Sequence, residues 1–199
     1  MPRWMEVMLA MLGLALFAPA GLVIAWAIHR EDRGPILFRQ ERVGLAGRPF
    51  EILKFRTMSD GGAGRLITAG GDPRVTSVGH FLRRTKLDEV PQLWNVVRGE
   101  MSFVGPRPEV PEYVALYTEV QRRVLDFRPG ITDEASLAYR DEERLLGEQS
   151  DPDSFYVREV MPAKIAINLE YQRHRTLWSD LGVVFRTVVG SRGNPAGRS

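Results

Sequence analysis

Residues 83–108 read Arg83-Arg-Thr-Lys-Leu-Asp88-Glu89-Val-Pro-Gln-Leu-Trp-Asn-Val-Val-Arg-Gly-Glu-Met-Ser-Phe-Val-Gly-Pro106-Arg107-Pro108, and they carry more chemistry than any other stretch of this 199-residue chain. Asp88 and Glu89 are adjacent carboxylates, and Pro91 follows closely. Proline is favoured at the first position of a helix, so the acid pair is predicted at or just before a helix N-terminus. There the free N–H groups and the positive end of the macrodipole favour ionised carboxylates and any phosphate beside them. Arg83, Arg84 and Lys86 precede the pair, while Arg98 and Arg107 follow it. The pattern suits a site for an anion that also needs a metal or a nucleophile. It suits ordinary helix capping by two acids as well.

Upstream, residues 78–84 read as a helix that delivers Arg83 to the carboxylates. Residues 36–43 read as a short strand or an interfacial segment and 50–55 as a strand, and around the turn Gly44-Leu-Ala-Gly47 the two can pair as a hairpin that ends in Lys54 and Arg56. Residues 59–71 are rich in glycine and read as a mobile loop, but no Gly-Lys-Ser, Gly-Lys-Thr or Gly-x-Gly-x-x-Gly accompanies them, which disfavours a nucleoside-triphosphate hydrolase. Downstream, residues 110–127 read as one amphipathic helix with Tyr113, Leu116, Tyr117, Val120 and Val124 on its apolar face. Asp141 to Arg144 read as a solvated helix face. The closing helices, 162–173 and 177–189, pair apolar positions with interspersed arginines, which suits either packing onto the core or a surface laid on anionic lipid.

No charged side chain occurs from Val7 to Ile28, a length that can span a bilayer. A signal peptide fits less well, because the run is long and no convincing cleavage site follows. A buried core helix would be expected to show a polar face. Pro19 falls near the middle of the run and removes a backbone donor, which predicts a kink. Basic residues flank both ends, Arg3 on one side and His29, Arg30 and Arg33 on the other, so charge gives no reason to place the ends on opposite sides. Composition permits a kinked span or a re-entrant hairpin. Elsewhere, 27 basic against 25 acidic residues argue only weakly for an anionic partner, and the absence of cysteine excludes disulfides, thiolate metal sites and a cysteine nucleophile. The last residues, 191–199, read as a disordered tail.

The run from Lys86 to Val96, with Gly99 to Pro108, resembles the signature of the bacterial sugar transferases, the monotopic phosphoglycosyl transferases. The resemblance extends to Gln40–Gly44, Lys54–Met58, Arg128–Thr132 and residues 155–188. It implies an α+β fold: a small, mostly helical membrane-associated domain with a short β-hairpin (34–190), preceded by a Pro-broken re-entrant membrane helix (1–33) and followed by amphipathic interfacial helices. It also implies transfer of a sugar-1-phosphate from a UDP-sugar to a polyprenyl phosphate with release of UMP, at the cytoplasmic face of a bacterial inner membrane. In the roles it implies, Asp88 is the nucleophile, Glu89 a catalytic acid that holds Mg²⁺, and Lys54, Arg56, Arg83, Pro106, Arg107, Pro108 and Asp153 bind substrate. No nucleic-acid partner is expected. Two departures stand out: Ala18 occupies the place before the helix-breaking proline where relatives commonly carry serine, and the loop after Thr132 reads Asp133-Glu-Ala-Ser where many carry Gly-Trp-Ala-Gln. A lipid-binding scaffold without catalysis and a metal-dependent phosphohydrolase are the competing readings.

Overall fold

The computed structural model describes residues 1–59 and 74–190, so most of the glycine-rich loop and the expected tail lie outside the described residues. The chain begins with α1, Arg3–Asp32, 30 residues of mostly Leu, Ala, Val and Met. Helical backbone continues through Pro19, whose ring withholds one donor without ending the helix. By length and composition α1 is long and apolar enough to cross a membrane. One narrow stripe of it meets the rest of the protein: Ala10 is buried with Ile52, Val96 and Met101, and Gly13 lets Leu93 approach so closely that an added Cβ would lie 3.0 Å from its Cδ1. Trp4, Met8, Leu12, Leu16, Leu22, Val23 and Trp26 are exposed.

Strands β1, Leu37–Val43, and β2, Pro49–Phe55, form the expected antiparallel hairpin, in register from Leu37↔Phe55 to Val43↔Pro49. Its turn places Ala46 and Gly47 at positive φ, where glycine at the second position avoids strain. Helix α2, Ser77–Thr85, starts at Thr76, whose Oγ1 accepts from Gly79 N at 3.0 Å. Lys86, in the left-handed region, stops α2 and turns the chain into a single 3₁₀ turn, Leu87–Glu89. Val90 and Pro91 keep helical angles and lead into α3, Gln92–Arg98, which ends at Gly99 with φ 89. The acid pair therefore sits just before a helix, as the proline suggested. Asn95 fastens α3 to β2: its Oδ1 accepts from Leu53 N at 3.1 Å, and its Nδ2 donates to Glu51 O and Glu100 Oε2, both at 2.7 Å.

A second, parallel pair was not foreseen. Strands β3, Ser102–Val104, and β4, Gly130–Thr132, align Ser102 with Gly130 and Val104 with Thr132. Gly105 and Gly130 approach so closely that a Cβ on either would collide with the backbone of the neighbouring segment. Between the strands, the single helix expected over 110–127 is two short ones, α4, Pro111–Ala115, and α5, Glu119–Arg122, followed by a 3₁₀ turn over Arg123–Asp126. The break has a local cause: Thr118 and Gln121 form a capping box that starts a new helix. Tyr113, Tyr117 and Val124 reach the core as expected, but Leu116 and Val120 are left exposed.

Helices α6, Glu134–Ala138, α7, Glu142–Gly147, and α8, Pro152–Phe155, are short. A π turn over Tyr156–Val160 joins α8 to α9, Met161–Arg173, and α10, Leu177–Val189, closes the chain. The main core gathers Val43, Val110, Tyr113, Tyr117, Val124, Leu146, Tyr156, Val160 and Ile165. Helix α10 buries Val183 against Val104 and Leu137 while leaving Trp178 80% exposed, with Phe185 and Val188 also turned outward. The architecture is α+β, mostly helical with two small two-stranded sheets.

Candidate active site

The site is assembled by the 3₁₀ turn, β2 and the loops that leave the C-terminal ends of β3 and β4. Parallel strands deliver groups side by side at that end. Here Gly105 N donates to Thr132 O at 3.1 Å, and Gly130 N donates to Pro106 O at 3.0 Å, so Arg107 and Asp133 emerge next to each other.

Glu89 lies between two cations. Lys54 Nζ, from the end of β2, is 3.1 Å from Glu89 Oε1, and Arg107 Nη2 is 2.5 Å from the same oxygen. Burial by itself would raise the Glu89 carboxyl, but the charges of Arg107 and Lys54 outweigh it and hold the group well below its ordinary value of 4.5. In return Glu89 raises Arg107, against the opposing effect of burial. Lys54 is lowered, chiefly by burial, with Glu89 opposing.

Asp88 is treated oppositely. It is 8% exposed, and its Oδ1 is buried without a hydrogen-bond donor. Burial, followed by the like charge of Glu89, pushes its carboxyl up, and Lys54, Lys86 and Arg107 only partly offset this. The sequence suggested a helix start that would keep Asp88 ionised. That expectation is corrected: neither the 3₁₀ turn nor α3 has a side-chain cap, and the carboxylate is desolvated rather than bonded to free N–H groups.

The remaining candidates divide. Arg83 donates through Nε to Thr57 Oγ1 at 3.1 Å and through Nη2 to Met58 Sδ at 3.2 Å, and its Nη1 pairs with Glu143 at 3.5 Å. It therefore borders the hairpin's end and does not join Lys54 and Arg107 on Glu89. Arg56 is buried with its guanidinium against Gly34, just beyond α1. Pro106 and Pro108 act through their carbonyls, which accept from Gly130 N and from Arg42 Nη1. Asp153 is placed apart from the acid pair: its Oδ1 accepts from Tyr113 OH at 3.1 Å, and it lines a shallow, open depression with Ser154, Val157 and Arg158.

Several polar residues escaped the sequence reading because nothing local marks them. Glu109 accepts a short hydrogen bond from Tyr156 OH and lies 3.7 Å from Arg42. Tyr156 is pushed far up by burial and by Glu109, which keeps it a phenol. Lys164 pairs with Glu142 at 2.6 Å and lies over the Tyr156 ring. With Pro106, Arg107 and Asn168 these groups line a cavity of about 20 Å³, room for one water. Asp133 is wholly buried, caps Ser136 N through Oδ1, and leaves Oδ2 without a partner, so burial raises its carboxyl despite Lys164 and Arg107.

No three acids or histidines cluster among the described residues. A magnesium ion does not require them, since it binds through one or two carboxylates and substrate phosphates. The residues present fit such an ion: the donors are oxygens, Glu89 is held ionised, and its Oε2 makes no hydrogen bond to the described residues while Oε1 is occupied by the two cations.

A clamped carboxylate beside an unpartnered one is the arrangement of an enzyme site that handles anions, on a chain that also carries a helix long and apolar enough to cross a membrane. The chain belongs to the bacterial sugar transferase family, whose sequence profile matches residues 1–192. It is 41% identical over 199 aligned positions to the UDP-glucose:undecaprenyl-phosphate glucose-1-phosphate transferase of Caulobacter vibrioides, covering 94% of this chain and 67% of that protein. It is 37% identical to the Escherichia coli protein of the same name, over 92% of this chain and 38% of that one. It is 34% identical to the exopolysaccharide production protein ExoY of Rhizobium meliloti, over 94% of this chain and 83% of the relative. The chain thus spans about two thirds of the Caulobacter protein and well under half of the Escherichia coli protein.

Proposed function

We propose that this chain transfers a sugar-1-phosphate from a UDP-sugar to a polyprenyl phosphate such as undecaprenyl phosphate, releasing UMP and starting glycoconjugate assembly. The observation that carries the reading is the acid pair: adjacent carboxylates driven to opposite proton affinities, one clamped by two cations and one desolvated and unpartnered. Such splitting assigns different roles to two like groups. Family membership and the names of the relatives point to the same chemistry.

In this reading an Asp88 oxygen attacks the phosphorus bonded to the sugar. The bond from that phosphorus to the UMP oxygen breaks, UMP leaves with the electron pair, and an acyl-phosphate carrying the sugar remains on Asp88. An oxygen of the lipid phosphate then attacks the same phosphorus, forming the diphosphate and restoring the carboxylate. Desolvation makes ionised Asp88 the more basic and stronger nucleophile. Lys54 and Arg107 present positive charge where phosphate charge gathers. Glu89 Oε2, together with substrate phosphate oxygens, would hold Mg²⁺, which neutralises phosphate charge when bound. Arg83, beside Thr57 and Met58, would bind substrate phosphate at the edge, and the loop from Pro106 to Pro108 the nucleotide. Arg56, packed against Gly34, and Asp153, bonded to Tyr113, would act at the periphery.

The apolar helix fits the lipid substrate. At about 1.5 Å per residue α1 measures about 45 Å, longer than the bilayer's hydrocarbon core. Yet Arg3 Nη1 donates to Met101 O at 3.0 Å near one end, and Glu31 Oε1 accepts from Ser77 N at 2.8 Å near the other. That both ends of the helix touch the same domain supports a re-entrant placement, in which it enters and leaves on one side. Single cysteines at Pro2 and Arg33 should accordingly react with an impermeant thiol reagent from the cytoplasmic side only; labelling from opposite sides would overturn the re-entrant reading.

The chemical test uses UDP-sugar labelled in the sugar-linked phosphate. The protein should become labelled without lipid, lose the label on addition of polyprenyl phosphate, and remain unlabelled as Asp88→Asn. Sustained turnover by Asp88→Asn would remove Asp88 as nucleophile.

A further inference from the structure

Gln92 is a residue to which neither the family relationship nor the mechanism above gives a role. Its side chain is 0% exposed, and neither its Nε2 nor its Oε1 has a hydrogen-bond partner. A wholly buried amide with both ends unpaired is rare, because each end has surrendered water for nothing. Another buried orphan, four residues earlier in the chain, is Asp88 Oδ1.

The two orphans are complementary and close in the chain. Asp88 and Gln92 are four residues apart, and Val90 and Pro91 between them have helical angles. The i→i+3 bonds that run from Lys86 to Trp94 keep this stretch coiled, so Asp88 and Gln92 lie about one turn apart along the axis, and Gln92 leaves it on the buried face. That face turns toward β2, as the next polar residue along it shows: Asn95, three positions on, bonds to Leu53 N and Glu51 O. Asn95 is fully partnered, whereas Gln92 and Asp88 Oδ1 are not. An amide donor and a carboxylate acceptor, both buried and both unpaired, are each other's natural partner.

We propose that Gln92 is the positioning residue for the nucleophile: its Nε2–H donates to Asp88 Oδ1, fixing the carboxylate so that Oδ2 faces the phosphorus. The bond tightens when the diphosphate draws Lys54 and Arg107 toward itself and Asp88 loses part of their compensating charge. The inference rests on Asp88 being the nucleophile, and the experiment separates the two ideas.

The test compares wild type with Gln92→Met, which has similar length and no polar atom, and Gln92→Glu, which has the same shape but offers an acceptor. Three quantities are measured: the single-turnover rate of covalent labelling by UDP-sugar, the affinity for that UDP-sugar, and the melting temperature. A charge-assisted hydrogen bond in the transition state corresponds to a loss of about tenfold to a hundredfold in labelling rate. Gln92→Met should show that loss with UDP-sugar affinity within about twofold and a melting temperature equal to or above wild type, because an unpaired buried amide has been replaced by an apolar group. Gln92→Glu should be slower still, with its carboxylate facing that of Asp88. Labelling by Gln92→Met at the wild-type rate overturns the proposal while leaving Asp88 untouched. A label that persists in Asp88→Asn overturns the nucleophile assignment instead. Should Gln92→Met not fold, the decision falls to Gln92→Glu: wild-type labelling per molecule competent to bind UDP-sugar refutes the proposal.

Discussion

Replacing Glu89 with glutamine removes one charge from the centre of the site while keeping its shape. In the native protein Lys54 Nζ is 3.1 Å from Glu89 Oε1 and Arg107 Nη2 meets the same oxygen, with Lys54 20%, Arg107 31% and Glu89 13% exposed. Removing one partner of a buried ion pair costs about 3–5 kcal/mol, because the remaining charge is stranded. Here an amide oxygen can still accept a hydrogen bond and both cations retain some water, so the expected loss is about 2–4 kcal/mol. For a chain of this size each kcal/mol moves the melting temperature by about 2–4 °C, so Glu89→Gln should melt about 5–12 °C lower at neutral pH. The gap should narrow in acid. A group held below its ordinary 4.5 contributes stability that is present above that value and lost as pH falls below it, so wild type should lose its advantage there. Adding Lys54→Met to Glu89→Gln removes one stranded cation and should restore about 1–2 kcal/mol, although Lys54→Met alone is destabilising. Thermal unfolding of the detergent-solubilised proteins at several pH values measures all of this. A Glu89→Gln melting temperature within about 2 °C of wild type, or additive effects of the two changes, would refute the clamp.

Asn95→Ala strips three hydrogen bonds from a side chain with no exposure and should cost about 3 kcal/mol in urea unfolding, with the loss expressed in the midpoint rather than the slope. Gly79→Ala drives a Cβ into the Thr57 carbonyl, a backbone atom that cannot step aside, and should lower stability by about 2 kcal/mol or more in the same assay. Asp133→Asn keeps the cap on Ser136 but removes a buried charge. Since burial raises the Asp133 carboxyl above its ordinary 3.8, wild type loses stability as pH rises through the raised value. Asp133→Asn should therefore gain on wild type between acid and neutral pH; a constant difference in melting temperature would contradict the assignment.

What could be read from the residues was whatever a few neighbours determine. The hairpin was legible because apolar alternation flanks Gly44 and Gly47, and α1 because no charge interrupts 7–28. The break at Thr118 was legible too, since Thr118-x-x-Gln121 is a capping signature, but the apolar spacing of 110–127 hid it. Strands β3 and β4 were not legible: each is three residues long, too short for a period, and each exists only because the other lies beside it. The same is true of Tyr156 and Lys164, which come to line one cavity with Arg107 and Glu109 only through packing of segments distant in the chain. Asp88 was misread in its energetics because sequence places it before a helix but does not reveal that the turn buries it.

That burial explains how two adjacent carboxylates can be opposites. In a 3₁₀ turn successive side chains point about 120° apart, so Leu87–Glu89 must send its two acids in different directions. One direction leads into the protein, where Asp88 meets no donor. The other leads to Lys54, 35 residues earlier, and Arg107, 18 residues later, which the unfolded chain keeps apart. The clamp on Glu89 is thus a product of folding, and it holds positive charge in reserve. In the proposed reaction an incoming diphosphate would compete with Glu89 for Lys54 and Arg107, and each cation drawn away would leave Asp88 with less compensation as the phosphorus arrives. On that proposal, binding and activation of the nucleophile would be coupled through one carboxylate oxygen, Glu89 Oε1, to which both cations are bound.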